Sequence, residues 1–187
     1  MEVRGQSGRI YGGTVSGTPL GNIRIWAGAH GIKKLAFEDA NRQETNKVTT
    51  IENELIHDAI KQLGQYLSGG LKRFDLPLDL SNCTPFQQDV FQEIQKIPYG
   101  QTLSYKSLAD SLDKPQASRS VGQALKVNPI PVIVPCHRII RSNGTLGGYS
   151  GNSPANLKKK KTLLQIEGLE IERNTVRNMN QEELFLD

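Results

Sequence analysis

Apolar and polar residues alternate in short stretches near the start of the chain and then change to a helical spacing. The alternation predicts strands over Ile10–Val15, Asn22–Trp26 and Ile32–Phe37. The next apolar positions recur at the period of a helix that ends at Gly69-Gly70: Ile51, Leu55, Ala59, Leu63 and Tyr66/Leu67. Alternation then resumes and predicts one further strand, through Phe74, Leu76, Leu78 and Leu80. The first eight residues suggest a loose tail, and Asp39–Lys47 suggests a polar loop.

The second half of the chain has a mainly helical pattern. Thr84-Pro85-Phe86-Gln87 combines a capping residue, a first-turn proline and a capping-box glutamine, and an apolar stripe runs from there to Ile97. Ser104 can cap a second helix that reaches about Leu112, and a third helix is predicted over Ser118–Lys126. A last helix is predicted over Pro154–Ile166. The residues from Leu169 onward are polar, and we expect them to be partly disordered.

These elements predict an α+β protein with two domains. We expect a small N-terminal αβ scaffold domain over residues 1–81, with a short antiparallel sheet and one helix. A mainly helical domain follows over residues 82–170, and residues 171–187 form a polar tail. The second and third helices of the larger domain are joined by a tight turn, which is typical of a helix-turn-helix.

Composition narrows the environment and the partners. The formal net charge is +4, which is compatible with a polyanionic partner without requiring one. No apolar run approaches the roughly 18 residues of a membrane span, and the N-terminus lacks the apolar core of a secretion signal. Two isolated cysteines suggest a reducing cytoplasm, and His30, His57 and His137 show no zinc-ligand spacing. We therefore expect a cytoplasmic protein without a metal.

A thiol stands beside an imidazole in the segment Asn128-Pro129-Ile130-Pro131-Val132-Ile133-Val134-Pro135-Cys136-His137-Arg138. A thiolate is a strong nucleophile, and a nearby histidine favours its formation. The alternative is that Cys136 is a small buried core residue. If the run is a strand, Cys136 and His137 point to opposite faces, so cooperation requires a bend or a bridging water. Pro135 can supply that bend.

Four more features of the sequence bear on its chemistry. The predicted helix Ser118–Lys126 presents Arg119, Gln123 and Lys126 among small residues, which suits contact with nucleic acid but also fits an ordinary helix with a solvated basic face. A glycine-rich loop over residues 144–151 lacks the lysine of a nucleotide phosphate loop. Lys158–Lys161 is interpreted as a solvated helix face. Glu167 stands at a helix C-terminus, where the dipole disfavours an acid, and this suggests a local partner.

These motifs, in this order, resemble the methylated-DNA–protein-cysteine methyltransferases, also called O6-alkylguanine-DNA alkyltransferases. The matching segments are Ile97-Pro98-Tyr99-Gly100, Ser104-Tyr105-Lys106-Ser107-Leu108-Ala109, Ser118-Arg119-Ser120-Val121-Gly122, Asn128-Pro129-Ile130-Pro131, Pro135-Cys136-His137-Arg138, Gly148-Tyr149-Ser150-Gly151 and Leu163-Leu164-Gln165-Ile166-Glu167-Gly168. The resemblance is strong over residues 84–168, and over residues 9–80 it concerns architecture only.

The resemblance implies a catalytic group of Cys136, His137, Glu167 and Tyr105. Cys136 would accept the alkyl group, His137 would act as base through a water molecule, and Glu167 would orient His137. Tyr105 would donate a hydrogen bond to the leaving guanine. Arg119 would enter the base stack when the target nucleotide flips out. Ser118, Gly122 and Lys126 would also contact DNA. The base pocket and its hinge would comprise Asn128, Pro131, Tyr149 and Ser150.

The implied partner is double-stranded DNA bearing O6-alkylguanine, with O4-alkylthymine left open as a second substrate. The implied protein is a monomer without a cofactor, and each molecule would react once. Some members carry zinc in the N-terminal half, but this chain lacks the cysteines for that site. Three rival functions follow from the same residues: a lesion-binding module without transfer, a helix-turn-helix transcription regulator, and a thiol hydrolase. A hydrolase would turn over repeatedly, whereas an alkyltransferase would stop after one equivalent.

Overall fold

The computed structural model describes residues 9–38, 53–151 and 153–177. The chain divides into two compact units, Met1–Asn82 and Cys83–Asp187. The predicted tail over residues 1–8, the polar loop at Asp39–Lys47, and Ile51 lie outside the described residues. The predicted α+β class is confirmed, with an antiparallel sheet in the first unit and a mainly helical second unit.

The first unit is a three-stranded sheet packed on one helix. Strands β1 (Tyr11–Thr18), β2 (Gly21–Gly28) and β3 (Gly31–Glu38) pair antiparallel in chain order, which confirms the three predicted strands. Helix α1 (Glu54–Leu67) begins at Asn53, whose side chain accepts a hydrogen bond from the Ile56 amide. Its buried positions, which include Ala59, Leu63 and Tyr66, follow the predicted helical spacing.

The strand predicted through Phe74 and Leu80 is wrong. Only Leu78 forms a bridge, to Ile32, beside a hydrogen bond from the Ile32 amide to the Pro77 carbonyl (2.8 Å). Pro77 has no N–H to continue a ladder. The buried Gln62 side chain also occupies both backbone groups of Asp75, accepting from its amide at 2.8 Å and donating to its carbonyl at 2.9 Å. The alternation of Phe74–Leu80 therefore reflects partial burial of one face, with sheet pairing limited to the bridge at Leu78.

The second unit begins with the predicted helix cap. Helix α2 (Pro85–Gln95) has Thr84 as its N-cap, and Gln87 completes the capping box. The two-residue strand β4 (Leu103–Ser104) leads into α3 (Tyr105–Ser111), and Ser104 caps that helix as predicted. Helix α4 (Ser118–Lys126) follows after a short connection, so α3 and α4 form the helix-turn-helix.

The last part of the second unit closes around α5. A single 3₁₀ turn (Cys136–Arg138) precedes β5 (Ile139–Ile140), which pairs in parallel with β4 and so brings the start of α3 beside the Cys136 segment. Helix α5 spans Pro154–Ile166 as predicted. No helix among the described residues is long and apolar enough to cross a membrane.

The polar tail predicted from Leu169 is corrected over its first part. Strands β6 (Ile171–Glu172) and β7 (Thr175–Val176) form a hairpin. Val176 is buried in a cluster with Ile140, Leu146 and Leu164, and the Leu146 amide donates to the Asn174 carbonyl (2.9 Å). The low apolar content hid this hairpin because a two-residue strand buries only one or two side chains.

Two glycines of the first unit give a stability test. Gly31 has φ +142°, and a Cβ there would lie 2.4 Å from the Pro77 carbonyl oxygen, whereas Gly64 on α1 has open space around it. We expect Gly31→Ala to lower the free energy of unfolding by about 2 kcal/mol or more. Gly64→Ala should raise it by about 0.5–1 kcal/mol, because alanine favours a helix interior. Urea denaturation of both variants measures this, and equal effects would contradict the packing of Gly31 on Pro77.

Candidate active site

The segment before Cys136 is a turn held by Asn128. The side-chain oxygen Oδ1 of Asn128 accepts from the Ile130 amide (3.0 Å), and the side-chain Nδ2 donates to the Val134 carbonyl (2.9 Å). Val132 has φ 78°, a left-handed conformation that a β-branched residue rarely adopts. The run is therefore not a strand. Prolines at 129, 131 and 135 and the Asn128 side chain impose a compact turn on an apolar run that by composition favours a strand.

Cys136 and His137 lie on the 3₁₀ turn that follows, and this resolves the question of opposite strand faces. Both side chains are buried, with 5% of Cys136 and none of His137 exposed. The chain bends after Pro135, as the sequence suggests, because the Arg138 amide bonds back to the Pro135 carbonyl (3.0 Å). Burial alone would also fit a core cysteine. The residues around Cys136 therefore decide whether it is a core residue or a nucleophile.

Glu167 connects this turn to the end of α5. Its carboxylate accepts from His137 Nε2 at 2.8 Å, from Arg138 Nη2 at 2.9 Å and from the Gly100 amide at 3.0 Å. Arg138 also donates through Nε to both carboxylate oxygens and through Nη1 to the Ile97 carbonyl (2.6 Å). The local partner expected from the position of Glu167 against the helix dipole is therefore present. Hydrogen bonds from charged or buried donors stabilise the carboxylate by more than the dipole of α5 destabilises it.

Gly100 is required for this arrangement. It has φ +78°, and a Cβ on it would lie 3.0 Å from the Glu167 carbonyl oxygen. A glycine therefore lets the backbone approach closely enough for its N–H to reach the carboxylate. The neighbouring Tyr99 hydroxyl donates to the Ile166 carbonyl (2.6 Å), which fixes the same turn to the end of α5.

The protonation states of Glu167, His137 and Arg138 follow from their contacts and their burial. Burial alone would raise the pKa of the Glu167 carboxyl, but the His137 and Arg138 donors hold that pKa well below its usual range. Burial lowers the pKa of His137 despite the pull of Glu167. At neutral pH we therefore assign an ionised Glu167 paired with Arg138, and a neutral His137. Because the carboxylate only accepts, His137 carries its proton on Nε2 and its lone pair on Nδ1.

Cys136 is a thiol in the resting protein. Burial raises its pKa, while a hydrogen bond from the Asn128 side chain and the charge of Lys160 oppose that rise. A neutral buried thiol is a weak nucleophile, so reaction requires a base that removes its proton.

Lys160 contradicts the interpretation of Lys158–Lys161 as a solvated face. Its side chain is fully buried, whereas Lys158 is exposed. Lys160 Nζ donates to the carbonyls of Ile139, Leu146 (2.5 Å) and Gly148 (3.2 Å). The sequence contains a signal for this burial, because position 160 shares a helix face with the apolar residues Leu157, Leu163 and Leu164. Arg138 is a second functional residue to which the sequence analysis assigns no role.

A cavity of about 410 Å³ opens beside Cys136. The sequence-predicted residues that line it are Tyr105, Ser118, Arg119, Gly122, Lys126, Cys136, Tyr149 and Ser150. His137 and Glu167 lie outside the lining, as do Asn128 and Pro131, which belong to the turn before Cys136. The cavity therefore places the helix-turn-helix and the thiol on one continuous surface.

Tyr105 stands in this cavity as a hydrogen-bond donor. Burial and the neighbouring Cys136 raise its pKa, so the phenol keeps its proton at neutral pH. A Cβ on Gly147 would lie 3.1 Å from the Tyr105 hydroxyl, so the loop passes closely over the ring only because residue 147 is glycine. In the same loop Tyr149 is buried, and the Ser150 carbonyl accepts from the Asn156 side chain (2.9 Å).

Metal ligation has no support in the part of the chain that the structure describes. No cluster of three or more His, Cys, Asp or Glu side chains there could hold a metal ion. Cys83 and Cys136 both carry thiols rather than a shared disulfide.

Comparison with known proteins agrees with the residue pattern. Two domain families match, 6-O-methylguanine DNA methyltransferase, ribonuclease-like domain, over residues 11–80 and 6-O-methylguanine DNA methyltransferase, DNA binding domain, over residues 85–169. The chain therefore belongs to the 6-O-methylguanine DNA methyltransferase family, which confirms the resemblance.

Individual relatives cover most of the chain. The methylated-DNA–protein-cysteine methyltransferase of Methanosarcina acetivorans is 38% identical over 81% of this chain and 94% of its own length. The constitutive enzyme of Bacillus subtilis is 37% identical over 82% of this chain and 93% of its own. The crystal structure of Mycobacterium tuberculosis O6-methylguanine methyltransferase superposes with a TM-score of 0.73 at 34% identity, covering 84% of this chain and 92% of that one.

The Arg138–Glu167 pair gives a test of the site's architecture. Arg138→Met leaves a buried carboxylate without its counter-charge, and we expect a loss of about 3–5 kcal/mol in the free energy of unfolding. Arg177→Met is the matched control, because Arg177 forms an exposed ion pair with Glu172 and its loss should cost less than about 1 kcal/mol. Guanidinium denaturation measures both. Equal small losses would show that Arg138 does not compensate Glu167.

Proposed function

We propose that this chain is a DNA repair protein that transfers the alkyl group of O6-alkylguanine in duplex DNA to Cys136 Sγ. The observation that carries the proposal is the cavity in which Cys136, Tyr105 and the face of α4 meet, with a histidine bound to a buried carboxylate, His137 with Glu167, at the next residue of the same 3₁₀ turn. The family, together with the names of the Methanosarcina and Bacillus relatives, supports the same activity.

The first step is removal of the thiol proton. His137 is neutral and keeps its lone pair on Nδ1 because Glu167 binds Nε2. We assign Nδ1 as the base that takes the Cys136 proton through a bridging water molecule. Glu167 then stabilises the imidazolium that forms, which is the nucleophile–base–orienter logic of a catalytic triad.

The second step moves the alkyl group. The thiolate attacks the alkyl carbon, a C–S bond forms, and the bond between that carbon and guanine O6 breaks with its electron pair staying on the guanine. Tyr105 keeps its phenol proton and donates a hydrogen bond toward the negative charge on the leaving base. Guanine finally takes up one proton from water, and the His137 imidazolium returns the former thiol proton to water, so that the protein and the base both end neutral at these atoms. Because the product is a thioether that is not cleaved again, each protein molecule reacts once and needs no cofactor.

DNA binding is assigned to the helix-turn-helix. Arg119 and Lys126 are exposed on α4 and line the cavity, and Ser118 and Gly122 keep that face small. The alkyl carbon of a paired guanine is inaccessible inside a duplex, so the nucleotide must flip into the cavity, and Arg119 fills the gap. A Mycobacterium tuberculosis relative, 35% identical with a TM-score of 0.71, has been solved in complex with DNA.

The remaining predicted residues shape the pocket. Tyr149 and Ser150 line it and contact the flipped base, whereas Asn128 and Pro131 hold the turn that presents Cys136. We further propose that the protein acts in the cytoplasm, since its two cysteines carry thiols. We also propose that it acts as a monomer.

Incubation with duplex DNA containing O6-methylguanine should methylate Cys136 once and leave Cys83 unmodified. Only Cys136 is followed in the chain by a histidine that binds a buried carboxylate, whereas Cys83 is followed by Thr84. Peptide mass mapping measures the product. Cys136→Ser should abolish transfer while DNA binding persists, because a hydroxyl is far less nucleophilic at neutral pH. Methyl transfer to Cys83, or product beyond one equivalent per protein, contradicts the mechanism.

Single-turnover rates on two substrates should separate flipping from chemistry. Arg119→Ala should slow repair of duplex DNA at least about tenfold while leaving reaction with free O6-methylguanine base near the wild-type rate, because free base needs no flipping. Glu167→Gln should slow both substrates together, since it disturbs His137. Arg73→Ala, at an exposed arginine of the first unit, is the control and should change neither rate. Equal losses for Arg119→Ala on both substrates would remove its assigned role.

A further inference from the structure

Lys160 is a buried ionisable residue to which the mechanism above gives no task. Its three ammonium hydrogens match the three carbonyl oxygens of Ile139, Leu146 and Gly148, whereas a neutral amine would have only two hydrogens to donate. Burial lowers the pKa of Lys160 to about 7, whereas a thiolate at Cys136 raises that pKa. The three carbonyl acceptors also favour the ammonium form over the neutral amine. Retaining a cation on the apolar face of α5 is costly, because a methionine would pack there without desolvating a charge.

The three carbonyls belong to the two segments that form the cavity wall. Ile139 directly follows the 3₁₀ turn that carries Cys136, and Leu146 and Gly148 lie in the glycine-rich loop. That loop, residues 144–151, supplies Tyr149 and Ser150 to the cavity. One ammonium group therefore ties the substrate-facing loop to the segment that carries the nucleophile.

The charge of Lys160 also acts on one particular neighbour, Cys136. Among the described residues, no carboxylate forms an ion pair with Lys160. The ionisable groups that face it are Cys136 and His137 on the 3₁₀ turn and Arg141 after β5. Of these only Cys136 can become an anion. A thiolate there favours the ammonium, and the ammonium favours the thiolate.

We propose that Lys160 is a positioning residue of the alkyl-transfer centre, whose ammonium fixes the glycine-rich loop and faces the negative charge that forms on Cys136 Sγ. The proposal rests on the function assigned above. The resting thiol and the product thioether are both neutral, so the cation interacts most strongly with the state in which Sγ carries charge. Such a fixed charge lowers the barrier without reorganising during the reaction.

The first measurement is the pH dependence of Cys136 modification by iodoacetamide, with the modified residue identified by peptide mass. Lys160→Gln keeps an amide that can donate to the carbonyls but removes the charge. We expect its midpoint to rise by about one pH unit, which means about tenfold less thiolate below the midpoint. Lys158→Met, an exposed lysine on the same helix, should leave the midpoint unchanged. A folded Lys160→Gln with the wild-type midpoint overturns the proposal.

Lys160→Arg separates charge from shape. It should retain a midpoint near that of wild-type protein, and a midpoint as high as that of Lys160→Gln would count against a role for the charge. Circular dichroism and thermal unfolding establish that each variant is folded before its midpoint is compared. If neither substitution folds, Lys160 is a purely structural residue and the proposal is wrong.

A second measurement connects Lys160 to transfer itself. Single-turnover rates of Lys160→Gln on duplex DNA and on free O6-methylguanine should both fall about tenfold at neutral pH, in proportion to the loss of thiolate. Unchanged rates on both substrates would overturn the proposal. If wild-type protein transfers no methyl group, the proposed function fails, whereas the iodoacetamide midpoints still test the coupling of Lys160 to Cys136.

Discussion

The second unit depends on one buried carboxylate. Glu167 binds the imidazole of His137, the guanidinium of Arg138 and the amide of Gly100, so a single side chain joins the end of α5 to two other segments. A buried ion is tolerated only when its oxygens are fully occupied by donors, and here both oxygens accept. The same contacts that make the charge tolerable also fix the tautomer of His137, which we propose as the base for Cys136. Stability and reactivity therefore share one set of bonds.

Burial controls the protonation states of the site residues as much as neighbouring charges do. Burial keeps Cys136 as a thiol and His137 neutral, so the resting protein contains no reactive anion. Burial also keeps Tyr105 protonated and therefore able to donate. A buried thiol that becomes nucleophilic only with a correctly placed base and substrate avoids reaction with small electrophiles in the cell. This suits a protein whose single reactive group cannot be regenerated.

The sequence predicts the elements well where local patterns decide them, as at the Thr84 cap and the Ser104 cap. Prediction from the sequence fails where side-chain hydrogen bonds take the place of the backbone hydrogen bonds of a strand. Gln62 takes the backbone groups of Asp75 that a strand would have used, and Asn128 turns an apolar run that otherwise reads as a strand. Lys160 was misassigned because the lysines beside it suggest solvent, although its helical neighbours are apolar. The motifs indicated Cys136, His137 and Glu167, but no local pattern could show that Arg138 shares the carboxylate, since that contact spans 29 residues.

The position of Glu167 downstream of its binding partners has a consequence for synthesis. It lies 30 residues after His137 and 67 after Gly100, so the carboxylate leaves the ribosome long after the thiol and the imidazole. Until α5 docks, Arg138 has no buried counter-charge to hold and His137 has no fixed orientation. A domain folds as a unit once its segments have emerged from the ribosome. Until α5 has emerged, the nascent chain therefore carries a Cys136 that is not activated. The contacts that orient His137 can therefore form only after α5 has been translated.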